Sequence, residues 1–423
     1  MQRPRCPFAT DLGKPDACAD SIGLSWLERG QLRVEPHIWS DPPQSPNPMT
    51  NRIDNLQAIR GFACLLVAAT HACSWETRFG LKFLPLRPMG FIGHLALDLL
   101  FVTSGFILTY AHFGPVRRPG GLGNYLWRRA WRVFPTYWVA LAFAVVSWVL
   151  VYGDPLPAPG WGYVWDMAWL RPRSEHPYVL PVTWTMAYEV LFYVAFGLAL
   201  VVPTWMTLAG AGGWAAVIIG LAVAGVLPEN TTLRHVVSPF MLELLAGCLA
   251  AWATIRSRVF PVSALVLGSV GTVVGIAVSY IWYPILIALP EYRVIVLGVP
   301  ALLLVYGGAT VERFGWRGPR WLCWFGDRSY SIYLVHWIGQ SVLFYLTLWL
   351  NMSHSRTWHV VWLAMMVAVG IGSGLLFYEL VERPVMSVVR TRRPKIAGGV
   401  SQDPVPARTS PAIPVTLPGR KAA

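Results

Sequence analysis

The chain is dominated by long apolar runs. Ten recur, at roughly 56–74, 91–113, 134–152, 181–202, 205–227, 236–254, 262–283, 292–309, 329–350 and 358–381. A run of about 20 apolar residues crosses the hydrocarbon layer as a helix, and a helix satisfies its own backbone polar groups in lipid. Hydrophobic residues make up 55% of the sequence and charged residues only 13%. The core of a soluble protein of 423 residues cannot absorb that ratio. The expectation is an all-α, polytopic membrane protein with about ten transmembrane helices. The weakest division lies between the fourth and fifth runs, which only Val202-Pro203-Thr204 separates.

The loop charges choose an orientation. The second loop carries Arg117, Arg118, Arg128, Arg129 and Arg132 with no acid. The sixth has Arg256 and Arg258, and the eighth has Arg313, Arg317 and Arg320. The tail adds Arg383, Arg390, Arg392, Arg393 and Lys395. The alternate loops are poorer in Lys and Arg, so both termini are expected in the cytoplasm. The formal net charge of +13 follows from this bias. It is not a nucleic-acid footprint, because the basic residues are spread over short membrane loops rather than one soluble face.

The ends are less informative. Residues 1–50 are Pro-rich and lack the apolar stretch of a secretory signal. They are expected to be a disordered or mis-started extension, since Met49 lies a few residues before the first span. Residues 51–385 form the ten-helix membrane domain. Residues 386–423 read as a basic and then disordered cytoplasmic tail. The six cysteines make no disulfide framework, and no Cys/His cluster has zinc spacing. No bound metal and no bound cofactor are expected.

Within this apolar background the ionisable residues stand out. Arg60 and His71 lie in one apolar segment, 11 residues apart. That is about three helical turns, so both side chains face one way, roughly 16 Å apart along the axis. Asp98 lies within the second span, followed by Ser104 and Gly105. The small pair either packs helices or lines a cavity. Trp127-Arg128-Arg129-Ala130-Trp131-Arg132-Val133-Phe134-Pro135 reads as a basic, Trp-rich helix at the inner surface. Such a helix can serve simply as an anchor to anionic lipid. Arg129 and Arg132, three apart, also suit a pair of phosphate clamps. In the fourth span Thr185, Glu189 and Tyr193 share a face. In the ninth, Ser329, Tyr333, His336 and Gln340 line one stripe, which either faces a cavity or bonds a neighbouring helix. Intramembrane charges by default mark function.

Taken in order, these residues resemble the acyltransferase-3 family of integral-membrane O-acyltransferases. The family's first helix carries an Arg-Gly pair and a His eleven residues after the Arg, matched by Arg60, Gly61 and His71. Its acidic second-helix run is similar to Asp98–Gly105, with Leu100 and Thr103 departing from it. Its Arg-x-x-Arg is met by Arg129 and Arg132. Its Glu-x-x-Phe-Tyr pattern is met by Glu189–Tyr193 after Trp184, although Thr185 replaces Ser. Its Ser-Tyr-x-x-Tyr-Leu-x-His signature appears as Ser329–His336, and a closing Glu-x-Pro as Glu382 and Pro384. The resemblance covers about residues 52–385 and fits the membrane-only form, with no appended soluble domain.

The resemblance implies transfer of an acyl group, acetyl above all, from cytoplasmic acyl-CoA to a hydroxyl of a sugar or cell-envelope glycan. The protein would then sit in the inner, cytoplasmic membrane, with acyl-CoA, a hydroxyl acceptor and lipid as partners and no nucleic acid. Arg60, Arg129 and Arg132 would hold the donor phosphates. His71 would act as general base or as transient acyl carrier, with Asp98 or Glu189 behind it. Ser104, Tyr333 and His336 would line the substrate cavity. Trp161, Tyr163, Trp165, Trp169 and Tyr178 in an outer loop would form an interfacial belt or stack on sugar rings. The competing class is a secondary transporter with the same charges as a proton relay. Against it, no Gly/Pro-broken helices recur in two matching halves.

Overall fold

The structure is a computed structural model. It describes residues 52–391 apart from 77–86, 114–120, 154–155, 158–159, 172–177, 227, 257–259, 283–289 and 351–355. The extension 1–50 and the tail from 392 lie outside the described residues. Every regular element among the described residues is helical. In order these are α1 (Asp54–Glu76), α2 (Arg87–Phe113), α3 (Leu122–Ser147), α4 (Trp161–Ala168), α5 (Thr183–Ala199), α6 (Thr204–Ala224) and α7 (Thr231–Val236). Then follow α8 (Phe240–Arg256), α9 (Pro261–Ile281), α10 (Pro290–Arg293), α11 (Val299–Val311), α12 (Arg320–Trp349), α13 (Arg356–Phe377) and α14 (Arg383–Thr391). Wider π-type turns extend α3 to Tyr152 and join α10 to α11 and α13 to α14.

Among the described residues nine helical runs are long and apolar enough to cross a membrane. The protein is thus an all-α, multi-pass membrane protein. The expected fourth span is present as α5 but has only 17 residues. Its shortness has a cause. The Tyr137 hydroxyl, half-way along α3, donates to the Met167 carbonyl at 2.7 Å and meets Thr183 Oγ1 at 3.1 Å. Trp138 Nε1 donates to the Ala168 carbonyl at 2.9 Å. At the other end of α5, Gly197 packs against Leu122 and Tyr125. So α5 runs antiparallel to the first half of α3 alone, and the chain re-enters beside mid-α3 through α4 before α5 begins.

Two expectations change here. The basic segment around Arg129 is not a separate surface helix; it is the first part of a run from Leu122 to Val151. Pro135 lies inside α3. The aromatic loop is also not a free outer platform. Tyr163 and Tyr178 are buried, at 2% and 8% exposure, because α4 and its exit tuck one face against α3. Only Trp161, Trp165 and Trp169 keep exposed faces.

α1 packs chiefly on α12, and α2 on α8. Glycines set both distances. A Cβ on Gly61 would sit 2.1 Å from the Leu322 carbonyl oxygen, and one on Gly326 1.9 Å from that of Gln57. Gly105 and Gly247 do the same between α2 and α8, at 1.9 Å from Leu244 O and 2.0 Å from Val102 O. Gly105 is therefore a packing residue. By contrast α6 buries only Ile218, the signature of a lipid-facing helix.

The start of α1 is pinned. Glu312 accepts the Asp54 and Asn55 backbone N–H groups at 3.1 and 2.8 Å, satisfying donors that a helix leaves open. Arg52 pairs with Asp327 at 3.1 Å, and the neighbouring Arg328 reaches Glu379 at 3.4 Å. The first described residues and the α14 end thus meet at one end of the bundle.

Candidate active site

α1 runs unbroken through Arg60 and His71, so the spacing read from the sequence holds: both lie on one helix, roughly 16 Å apart along its axis. A cleft beside Arg60 is lined by Leu97, Leu100, Phe101 and Ser104 of α2, Thr185, Met186 and Glu189 of α5, and Ser329, Tyr330 and Tyr333 of α12. Four expected site residues, Arg60, Ser104, Glu189 and Tyr333, therefore share one cleft.

The cleft is polar at selected points. Glu189 accepts hydrogen bonds from Ser104 at 3.1 Å and from Tyr193. Tyr333 and Thr185 join their hydroxyls at 2.5 Å, and Thr185 donates to the Val182 carbonyl at 2.8 Å. The single Thr185 hydrogen is thus used, and Tyr333 is the donor between them. Ser329 is 2% exposed, and its hydroxyl has no hydrogen-bond partner among the described residues. It is open to whatever fills the cleft.

The three arginines differ in their commitments. Arg132 reaches Glu382 at 3.1 Å, and Glu382 also accepts from Ser331 at 2.6 Å. The acid of the Glu-x-Pro motif thus holds the second Arg of the Arg-x-x-Arg pair. Arg129 lies over the rings of Tyr193 and Tyr125, at 5.3 and 5.7 Å. Among the described residues no carboxylate stands within ion-pair distance of Arg60 or Arg129. Arg60 Nη1 donates to Gln57 Oε1 at 3.4 Å. Half-buried guanidinium groups without an ion-paired carboxylate are a ready seat for an anion.

One and two turns further along α12, its polar stripe divides its work. His336 meets His71, with Nε2 to Nδ1 at 2.7 Å and the rings nearly parallel. Gln340 instead donates to the Ala68 carbonyl at 2.8 Å and fastens α12 to α1. His336 Nδ1 lies 3.0 Å from the Ile332 carbonyl oxygen, which can only accept. In the neutral pair His336 therefore carries its hydrogen on Nδ1 and a lone pair on Nε2. That lone pair takes the hydrogen of His71 Nδ1, which leaves His71 Nε2 as the basic nitrogen. Trp337 stands edge-on to His71, with ring centres 5.3 Å apart.

Among the described residues no carboxylate is a hydrogen-bond partner of His71. Glu189 is turned toward Ser104 and Tyr193, and Asp98 is bonded to Arg293 at 2.5 Å. An acid on a helix facing the bundle does not announce its partner; Arg293 is 195 residues away and stands at the edge of an apolar run. Glu243, the third member of that buried group, gave no signal beyond a lone acid in an apolar helix.

The chain belongs to the acyltransferase-3 family. The family's acyltransferase domain matches residues 53–378. The protein is a membrane O-acyltransferase that moves groups other than aminoacyl groups. It is 28% identical over 326 residues to the exopolysaccharide production protein ExoZ of Rhizobium meliloti, covering 71% of this chain and 92% of that one. It is 26% identical over 393 residues to the acyltransferase MdmB of Streptomyces mycarofaciens, covering 82% and 95%. Protein 2 in the picA locus of Rhizobium radiobacter is 35% identical over 106 residues, 25% of this chain and 50% of that one. No solved structure matches. Family membership decides against the transporter class.

Proposed function

We propose that this enzyme transfers an acetyl group from acyl-CoA on the cytoplasmic side to a sugar hydroxyl of an envelope or exported glycan, working in the cytoplasmic membrane with both termini inside. The relative named for exopolysaccharide production supports a glycan acceptor. Arg60 and Arg129, without carboxylate partners, are the groups to hold donor phosphates, with the open side of Arg132 beside them. Ser104, Glu189, Ser329 and Tyr333 line the cleft beside Arg60, and the Tyr333 ring lies 6.1 Å from that of His336.

The observation that carries the reading is the chain from the Ile332 carbonyl through His336 to His71. In the proposed step His71 Nε2 takes the proton of the acceptor hydroxyl while its oxygen attacks the thioester carbonyl. The C–S bond then breaks, and His71 returns the proton to the leaving thiolate. His336 holds the imidazolium through its Nε2 lone pair, the task given to a carboxylate in a Ser-His-Asp triad. The test is acetyl transfer from labelled acetyl-CoA to a sugar acceptor by the purified protein. Transfer that is lost in His71→Ala is the expected result; transfer undiminished in that variant would remove His71 from the reaction.

A further inference from the structure

A second group of buried charges lies outside the cleft. Asp98 on α2 is 0% exposed, Glu243 on α8 is 2% and Arg293 at the end of α10 is 5%. Arg293 Nη2 stands 2.5 Å from Asp98 Oδ1 and 3.9 Å from Glu243 Oε1. Its guanidinium lies over the Phe240 ring at 4.5 Å. The carboxyl groups of Asp98 and Glu243 face each other within hydrogen-bonding reach. Yet Asp98 Oδ2 and both Glu243 oxygens receive no donor from the described residues.

Two carboxylates cannot bond each other, because both only accept. Counting charge leads to the same difficulty. Two ionised acids against one guanidinium leave a net negative charge at membrane depth, where unpaired charge is expensive. Among the described residues the surrounding groups do not correct it. His94, one turn before Asp98 on α2, and Tyr188 on α5 both lie within electrostatic reach of Arg293. The Arg293 charge opposes a second cation on His94, and Tyr188 supplies none. A single proton resolves both problems. It supplies the missing donor and brings the group to neutrality, as in other carboxyl pairs that share one site.

We propose that Asp98 and Glu243 form a proton-binding site, holding one proton between them while Arg293 balances the remaining negative charge. The site ties α2, α8 and the α10 end together. α2 carries Leu97, Phe101 and Ser104 into the cleft, so this neutral knot fixes one wall of it.

Infrared spectroscopy of the purified wild-type protein at neutral pH tests the site. The expected result is a carbonyl stretch of a protonated carboxyl that shifts in D2O and is absent from Glu243→Gln. Asp98→Asn, which leaves Glu243 alone with Arg293, must lose the same band, and it serves if Glu243→Gln fails to fold. The double variant leaves Arg293 without a counter-charge and is expected to lose most of its folded yield. A wild-type spectrum without the band, or a band that survives both single variants, overturns the proposal. So does a band that disappears on exchanging potassium for sodium salts, which would put a metal cation in the proton's place.

Discussion

His71 Nδ1 and His336 Nε2 meet at 2.7 Å, and the other nitrogen of His336 is already committed to the Ile332 carbonyl. The relationship fixes which atom of each ring bears hydrogen, and it makes His336 a positioning residue in the proposed reaction. His336→Ala should lower kcat by ~10- to 100-fold, within the range of acid–base contributions, and shift the pH–rate profile. The KM for acetyl-CoA should stay near the wild-type value. His336→Gln places a carbonyl oxygen near His71 and should recover part of the loss. A profile and kcat unchanged in His336→Ala would mean that the contact is packing alone.

The arginines should separate by their partners. Arg129→Ala should weaken donor binding by about 1.5–3 kcal/mol, the scale of a charge-assisted bond, with little change in thermal stability. Arg129→Lys should restore only part of it, since a point charge replaces a planar fork. Arg132→Ala also strands Glu382, whose side chain is 2% exposed. It should therefore lower the Tm as well, and Arg132→Ala/Glu382→Gln should bring the Tm back without restoring donor affinity. Equal Tm values for the two single alanine variants would count against this division.

Ser329 offers the cleft its one hydroxyl that is buried and unbonded among the described residues. Removing it leaves no stranded partner. Ser329→Ala should keep the Tm of the wild type and raise the KM for donor by ~3- to 10-fold, the worth of one neutral hydrogen bond. Steady-state kinetics at saturating acceptor would show whether kcat stays level, as a binding role requires. An unchanged KM would mean that the donor does not reach this hydroxyl.

The helix contacts around the site should be intolerant of a single methyl. Gly61→Ala sets a Cβ against the Leu322 carbonyl, and Gly326→Ala against that of Gln57. Backbone cannot swing aside as a side chain can. Each change should cost about 1–3 kcal/mol by overpacking, read as a lower Tm in detergent. Activity should fall too, because α1 carries Arg60 and His71 while α12 carries His336. A Gly121→Ala control, with open space around its Cβ, should change neither.

Local periodicity made part of this legible. The Arg60–His71 register needs only 3.6 residues per turn, and the apolar runs needed only a length. What was not legible depends on long-range pairing. The His71–His336 bond joins residues 265 apart, and Asp98–Arg293 joins residues 195 apart. Both acids first read as candidates to support His71 turned out to have other partners, because an apolar helix shows that an ionisable group is buried but not against what. α5 looked like a full span because its apolar run continues to Val202, whereas the helix begins only beside mid-α3. The tight glycines were visible as residues, but only the facing backbone carbonyls show that Gly61 and Gly326 are two halves of one contact.

The last prediction concerns sidedness, on which a cytoplasmic donor depends. Arg52, Asp327, Arg328 and Glu379 draw the first described residues and the α14 end to one end of the bundle. Arg132, through Glu382, belongs to that end as well. The Lys/Arg bias assigns this end to the cytoplasm. In a background with native cysteines replaced, a single cysteine at Gly123, at the start of α3, should be protected from a membrane-impermeant thiol reagent in intact cells. One at Ser174, in the segment between α4 and α5, should be labelled. Permeabilised cells should label both, which shows that protection reflects the membrane and not burial. The reverse pattern in intact cells would put Arg129 and Arg132 on the outer face, away from cytoplasmic acyl-CoA. Donor phosphates and arginines would then never meet, and the proposed direction of transfer would fall.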